Sequence, residues 1–207
     1  RRSITGFEPA KWAGSQRDPA ESELLRALPG LWARLGDRGE VTPLFTTLLD
    51  RILEGQIFDL ERFPPGAPPL DDEEMEQYTW LVAGCVGEFW TDLCALRLGN
   101  FATQPPEVMR HRARRYGQAL QLVNILRDRR MDAALGRVYI EPSAAGRWAL
   151  QAREWLEEGA RYAESLRMGR LRYATLLPAL IGWRTLALTM AQPAEALTPA
   201  KVPRTEL

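Results

Sequence analysis

The sequence predicts an all-α bundle, and three observations carry that prediction. Apolar residues recur at helical spacing in window after window, few stretches alternate as a half-buried strand would, and breakers cluster between the windows, as at 64–69 and Gly136. The 207 residues are 45% hydrophobic and 26% charged, enough for one core burying roughly 70% of the unfolded surface, so a single domain over 1–207 is expected. The 27 basic and 27 acidic side chains cancel, leaving no electrostatic case for nucleic acid. Cys85 and Cys94 lie in apolar context and read as buried thiols of a reducing compartment. A lone histidine, His111, argues against His-rich metal chemistry. The most apolar stretch, 174–183, contains Pro178 and meets Arg184 well short of the roughly 18 residues that span a bilayer. A cytoplasmic chain, peripheral at a membrane at most, is expected.

Residues 1–19 carry Gly6, Pro9, Gly14 and Pro19 without periodicity and read as an irregular arm. Asp18 before Pro19 then predicts a helix start, with Leu24, Leu25, Leu28, Leu31, Trp32 and Leu35 as its apolar stripe and Gly36 as its stop. A second helix is expected over 42–60, with Pro43 in its first turn. The proline-rich run 64–69 is a loop, because proline lacks the amide hydrogen that a helix interior needs. Asp71, Asp72, Glu73 and Glu74 open the next helix, which runs to Leu98; first-turn acids accept free amides and oppose the dipole, a commoner cause of such a cluster than metal binding. Further helices are expected over 105–130, 147–168 and 171–190.

The informative face is polar. Gly117, Gln121, Asn124, Asp128 and Asp132 fall on one helical stripe, while Leu120, Leu122, Val123, Ile125 and Leu126 take most of the remaining circumference. That stripe is expected to point into something buried, where each unpartnered amide or carboxylate costs several kcal/mol, on the order of 2–7 for an amide. Asp128 and Asp132 sit at i and i+4, one turn apart on one side, so both can reach divalent cations held between them, and magnesium prefers such hard oxygen ligands. The competing reading pairs them with Arg127, Arg129 and Arg130 as a frayed helix end.

The run Tyr116-Gly117-Gln118-Ala119-Leu120-Gln121-Leu122-Val123-Asn124-Ile125-Leu126-Arg127-Asp128, followed by Asp132 and then Gly136-Arg137-Val138-Tyr139, resembles the second aspartate-rich signature of the squalene and phytoene synthase family. Tyr78-Thr79-Trp80-Leu81-Val82-Ala83-Gly84-Cys85-Val86-Gly87 is similar to that family's tyrosine-containing Val-Ala-Gly segment. Weaker likenesses lie at Gly55-Gln56-Ile57-Phe58-Asp59-Leu60 and at Leu177-Pro178-Ala179-Leu180-Ile181-Gly182, so the resemblance covers about 42–190 in the family's order.

The resemblance implies an isoprenoid synthase helical bundle around a central cavity, joining two allylic isoprenyl diphosphates head to head through a cyclopropyl intermediate. The segment 170–186 is similar to bacterial squalene synthases, which implies two farnesyl diphosphates as substrate and squalene as product; phytoene or dehydrosqualene synthesis is the alternative. The metal ligands implied are Asp128, Asp132 and Asn124, for Mg2+. Gln121, Asn124, Arg137, Tyr139, Val82 and Gly87 would contact substrate. Tyr78, Asp128, Asp132 and Arg137 would be catalytic, with Tyr78 placed for proton transfer or for guiding the carbocation. Such chemistry needs positive charge on the departing diphosphate oxygens and an apolar pocket that keeps the cation from water. NADPH enters only on the squalene branch, and no dinucleotide glycine motif speaks for it. Product release implies peripheral contact with a membrane.

Bulky Trp80, Phe89, Trp90 and Trp183 are expected to floor the pocket at farnesyl length. Without the resemblance, Tyr78 is as readily a core tyrosine, Asp59 an exposed helix-end acid of lower rank than the Asp128 pair, and Gly84 and Gly87 points of close approach by another helix or a ligand chain. The family's first aspartate-rich motif has no counterpart in 1–35, so the chain is expected to lack N-terminal helices and a C-terminal segment beginning near 201–207. Met131 stands where the family usually has Glu, and Glu141 delays its proline. A non-catalytic assembly or scaffold relative of the same fold is the reading from another class.

Overall fold

In the computed structural model, which describes residues 8–35, 39–193, 198–203 and 205, the described chain is helical throughout, with only an isolated bridge between Ala102 and Leu166. It divides into two compact units, 1–43 and 44–207, where the sequence reading expects one domain. In the first, α1 (Pro9–Ala13) forms inside the stretch read as an irregular arm: Pro9 opens its first turn and the chain leaves at Gly14. Helix α2 (Pro19–Leu35) starts as expected, the Asp18 carboxylate accepting the Ala20 amide at 2.8 Å. Ser22 Oγ donates to the Ala13 carbonyl at 2.6 Å and ties the two helices together. Leu24 and Leu31 of the predicted apolar stripe are exposed, while Gly6, Gly36 and the side chains of Trp32 and Leu35 lie outside the described residues.

Helix α3 (Val41–Glu61) leads through the proline loop to α4 (Asp72–Thr79). The acidic cluster is a cap, as read: Asp71 accepts the Glu74 amide at 2.8 Å while Glu74 accepts the Asp71 amide at 3.1 Å. Arg62 clamps the loop by donating to both Glu74 oxygens, at 2.6 and 2.7 Å. Between α4 and α5 (Cys85–Leu98) the chain winds as a π turn, Trp80–Gly84. Gln118, only 2% exposed, reaches across from the neighbouring helix and donates to the Glu76 carbonyl at 3.0 Å, supporting the backbone just before that turn.

Helix α6 (Pro106–Ala134) is the central element, packed by α4, the π turn, α5, α7 (Ala145–Ser165) and α8 (Gly169–Ala191). Glycines let backbones meet where the π turn and α5 cross it: a Cβ on Gly87 would lie 2.1 Å from the Ala113 carbonyl oxygen, and one on Gly117 2.4 Å from that of Ala83. Met75, Leu122, Leu126, Trp148, Trp155 and Leu156 fill the main core beside it. Cys85 and Cys94 are buried free thiols, as expected. Helix α8 continues through Pro178, and Tyr116 donates its hydroxyl to the Thr175 carbonyl at 2.7 Å, three residues before that proline. At 23 residues α8 is long and apolar enough to cross a membrane by length and composition, which the shorter run 174–183 is not.

Candidate active site

Helix α6 runs one turn beyond the predicted end, so Asp128 and Asp132 are both held on regular helix. The chain then reverses at Gly136, φ +83°, a conformation costly for any residue with a Cβ, and the Arg137 amide donates back to the Asp132 carbonyl at 2.8 Å. This turn swings Arg137 and Tyr139 onto α3 and α4. The Leu70 amide, donating to the Tyr139 carbonyl at 3.2 Å, pins the returning segment to the proline loop.

There the side chains form one bonded set. Tyr139 donates its hydroxyl to Asp59 Oδ1, Arg137 Nη1 lies 3.0 Å from Asp59 Oδ2, and the Tyr78 and Tyr139 hydroxyls are 3.4 Å apart. The Tyr78 and Tyr139 rings stack with centroids 5.3 Å apart, and Phe58 stacks on Tyr78 at 5.5 Å. Burial pushes the Tyr78 hydroxyl up to about 12, and burial together with the bond to Asp59 pushes Tyr139 up as well. Both hydroxyls stay protonated at neutral pH.

The polar stripe of α6 lies next to this set, with a different character. Asp128 is half-buried and takes a two-pronged bond from Arg127, at 2.8 and 2.5 Å, which is part of the helix-end pairing weighed from sequence. Asp132 is also half-buried; burial raises its carboxyl, the Asp128 charge raises it further, and Arg137 draws it down. Asp59 acts on Asp132 too, and Asp132 on the Tyr78 hydroxyl, so Tyr78, Asp128, Asp132, Arg137 and Tyr139 share one electrostatic neighbourhood. Gln121 is half-buried beside them. Asn124 corrects the reading: it is exposed, so the stripe is not buried along its whole length.

Val82 packs half-buried against the core that holds Tyr78, facing Gly55 of α3. Gly87 lies against the Ala113 backbone, so the close approach its missing Cβ permits there is that of a helix. Among the described residues no three His, Cys, Asp or Glu side chains converge closely enough to hold a metal by themselves. The carboxylates of Asp128 and Asp132, hard oxygen donors one turn apart, would nevertheless suit a divalent cation, which would relieve their mutual repulsion as Arg127 gave up its bond to Asp128, with other oxygens supplying the rest of the shell.

Asp59 was underrated by sequence reasoning. It is 9% exposed rather than a surface acid, and its one sequence signal is the i, i+4 spacing from Gly55, also buried on the same face of α3. Glu88, absent from the sequence reading, is 4% exposed and bound by Arg51 at 3.2 Å, Arg114 at 2.7 Å and the Trp80 indole at 3.2 Å. The expected aromatic floor is not assembled. Trp80 lies against the guanidinium groups of Arg51 and Arg114, Phe89 meets Phe45 edge-on, Trp90 is exposed, and Trp183 lines a groove of ≈ 620 Å³ with Leu150, Leu186 and Met190 of α7 and α8. These four side chains sit on different faces of three segments, which helical spacing alone does not reveal.

Known proteins share both sequence and architecture with this chain. The squalene/phytoene synthase family profile matches residues 7–141, a span that contains Asp59, Tyr78, Asp128, Asp132, Arg137 and Tyr139. Curated relatives named bifunctional lycopene cyclase/phytoene synthase are 32% identical over 144 residues in Colletotrichum graminicola, covering 65% of this chain and 23% of that protein. In Neurospora crassa the figures are 36% over 110 residues, 52% and 18%, and in Blakeslea trispora 37% over 93 residues, 44% and 14%. The chain thus spans less than a quarter of the length of these relatives. Among solved structures, TcSQS with a bound ligand superposes with a TM-score of 0.73 at 19% identity, covering 96% of this chain and 67% of that one. A dehydrosqualene synthase with ligand gives 0.58 at 22%, covering 88% and 65%. At such identities these likenesses establish the fold, the all-α isoprenoid synthase bundle.

Proposed function

The chain belongs to the squalene/phytoene synthase family, and on that premise we propose that it joins two allylic isoprenyl diphosphates head to head through a cyclopropyl diphosphate. The observation that carries this reading is the juxtaposition of two unlike halves: the Asp128 and Asp132 carboxylates beside the Arg137–Asp59–Tyr139–Tyr78 set.

Asp128 and Asp132, with Asn124 and Gln121 beside them on the same stripe, would hold magnesium, which when bound draws charge from the departing diphosphate oxygens. Arg137, its side chain 38% exposed while Asp59 fixes one edge, has donors left for a phosphate. Phe58, Tyr78 and Tyr139, stacked on one another, would give the site an aromatic wall that keeps water from an allylic cation. Tyr78, neutral at working pH, presents a hydroxyl oxygen rather than a competing tyrosinate nucleophile.

Farnesyl diphosphate and squalene are the substrate and product we assign, on the likeness of 170–186 to bacterial squalene synthases, with NADPH as the reductant of that branch. The names of the curated relatives favour a second reading, geranylgeranyl diphosphate to phytoene. Exposed Tyr173, Leu180 and Met190 on α8 support peripheral contact of a cytoplasmic protein with a membrane that takes up the hydrocarbon. Incubation with each diphosphate and magnesium, with and without NADPH, tests the proposal by product. Squalene from the shorter substrate is expected; phytoene from the longer one selects the second reading, and no hydrocarbon from either selects the scaffold.

A further inference from the structure

Each hydroxyl in the site has one hydrogen to give, and that fixes the direction of the bonds. Asp59 as a carboxylate only accepts, so the Tyr139 hydrogen is committed to Asp59 Oδ1. In the 3.4 Å pair of hydroxyls Tyr139 must then accept and Tyr78 donate. The Tyr78 oxygen keeps its lone pairs, and among the described residues nothing donates to it. Its ring stacks between Phe58 and Tyr139, so the acceptor stands among the groups that would shelter a carbocation. At the other end Asp59 Oδ2 meets Arg137, which is exposed enough to reach solvent.

We propose that Tyr78, Tyr139 and Asp59 form a proton relay in which Asp59 is the terminal acceptor of the proton lost when the cyclopropane ring closes; this rests on the head-to-head reading given above. Ring closure breaks a C–H bond on the carbon two bonds away from the cationic carbon, and its electron pair becomes the new C–C bond between those two carbons. The proton goes to Tyr78 Oη as Tyr78 passes its own to Tyr139 Oη, and Tyr139 passes its own to Asp59 Oδ1. Both tyrosines end neutral, Asp59 ends as a carboxylic acid, and the diphosphate has left with its bonding pair. Asp59 then returns its proton to solvent past Arg137. No oxidant or reductant is needed. The relay also explains why a hydroxyl too weakly acidic to ionise serves as a base: it takes and gives a proton in one step.

Tyr139→Phe tests this, because it keeps the ring that stacks on Tyr78 and meets Phe63 at 4.8 Å while removing the middle oxygen. The full chain is incubated with farnesyl diphosphate and magnesium and without reductant, and three species are counted: released diphosphate, ring-closed diphosphate and allylic alcohols from capture by water. The ratio of ring-closed product to released diphosphate is expected to fall by about 100-fold or more, the scale of general acid–base catalysis, with alcohols making up the balance. Asp59→Asn, which still offers Tyr139 an acceptor but takes no proton, is expected to shift the ratio the same way. Because the ratio is taken per ionisation event, a partly unfolded variant still reports it. An unchanged ratio in either variant overturns the relay and leaves the diphosphate as the base, and a parallel loss of both diphosphate release and ring closure returns Tyr139 and Asp59 to substrate binding. If the unsubstituted chain releases no diphosphate, the proposed function itself fails.

Discussion

Asp59 and Asp132 sit in one site, feel each other's charge, and live in opposite circumstances. Asp59 is buried and fully served, with a tyrosine hydroxyl on one oxygen and a guanidinium on the other. Asp132 is half-buried and raised by burial and by Asp128, while Arg127 on the same helix bonds Asp128 instead. The protein has thus bonded Asp59, and Asp128 through Arg127, with its own atoms, and has left Asp132 raised by burial and by its neighbouring carboxylate. Catalytic sites keep such perturbed groups where a ligand will answer their charge.

The largest effect expected from breaking this contrast is on turnover. Asp128→Asn or Asp132→Asn keeps volume and removes charge, so turnover should fall by several powers of ten, about 1.4 kcal/mol of barrier for each. Near-normal turnover in both variants would falsify the assignment of the pair. A second readout needs no catalysis. Magnesium with inorganic diphosphate should raise the melting temperature of the unsubstituted protein, equivalent to about 2.7 kcal/mol at 100 times the dissociation constant, and should raise that of either variant far less.

The next effect is on stability, and its sign should differ between the halves. Asp59→Ala leaves the buried Tyr139 hydroxyl without an acceptor and Arg137 without its partner, a loss of about 1–3 kcal/mol. Asp132→Asn removes a carboxylate that burial and Asp128 both penalise, so it should cost nothing or stabilise. Urea midpoints of the two variants measure both. A destabilised Asp132→Asn would mean that its carboxylate has a partner of its own and that the contrast is false.

What was legible in the sequence was local. The cap at Asp71 is an Asp-x-x-Glu pattern four residues long, and the stripe from Gln121 to Asp132 is the period of a single helix, so both follow from nearest neighbours on one element. Asp59 was not legible because its environment is made by Arg137 and Tyr139, about eighty residues on, brought home by a glycine turn. Glu88 is the same case, its charge answered from α3 and α6. The π turn before it has no pattern of its own, since Gln118 of another helix supports the backbone leading into it. Asn124 failed in the opposite direction: a polar stripe on an otherwise apolar helix reads as buried, but this one is not buried along its whole length.

The smallest effect separates Tyr78 as a bonded site residue from Tyr78 as core. Tyr78→Phe keeps the stack with Phe58 and Tyr139 and loses one long hydrogen bond, so at pH 8 it should cost only about 0.5–1.5 kcal/mol. The difference should depend on pH. Burial raises the folded Tyr78 hydroxyl from the ordinary 10 to about 12, so the neutral form is favoured in the folded protein. For a raised group the stability contribution is complete below the unfolded value and is lost as pH climbs through the folded one. The advantage of the unsubstituted protein over Tyr78→Phe should therefore shrink as pH rises from 10 towards 12. Tyr116, Tyr139 and Tyr162 are present in both proteins and largely cancel in that difference. Urea midpoints at pH 8 and pH 11 are sufficient. A difference constant across that range would show that Tyr78 ionises as freely as in the unfolded chain, and its hydroxyl would then not be the buried donor to Tyr139 on which the pairing with Asp59 depends.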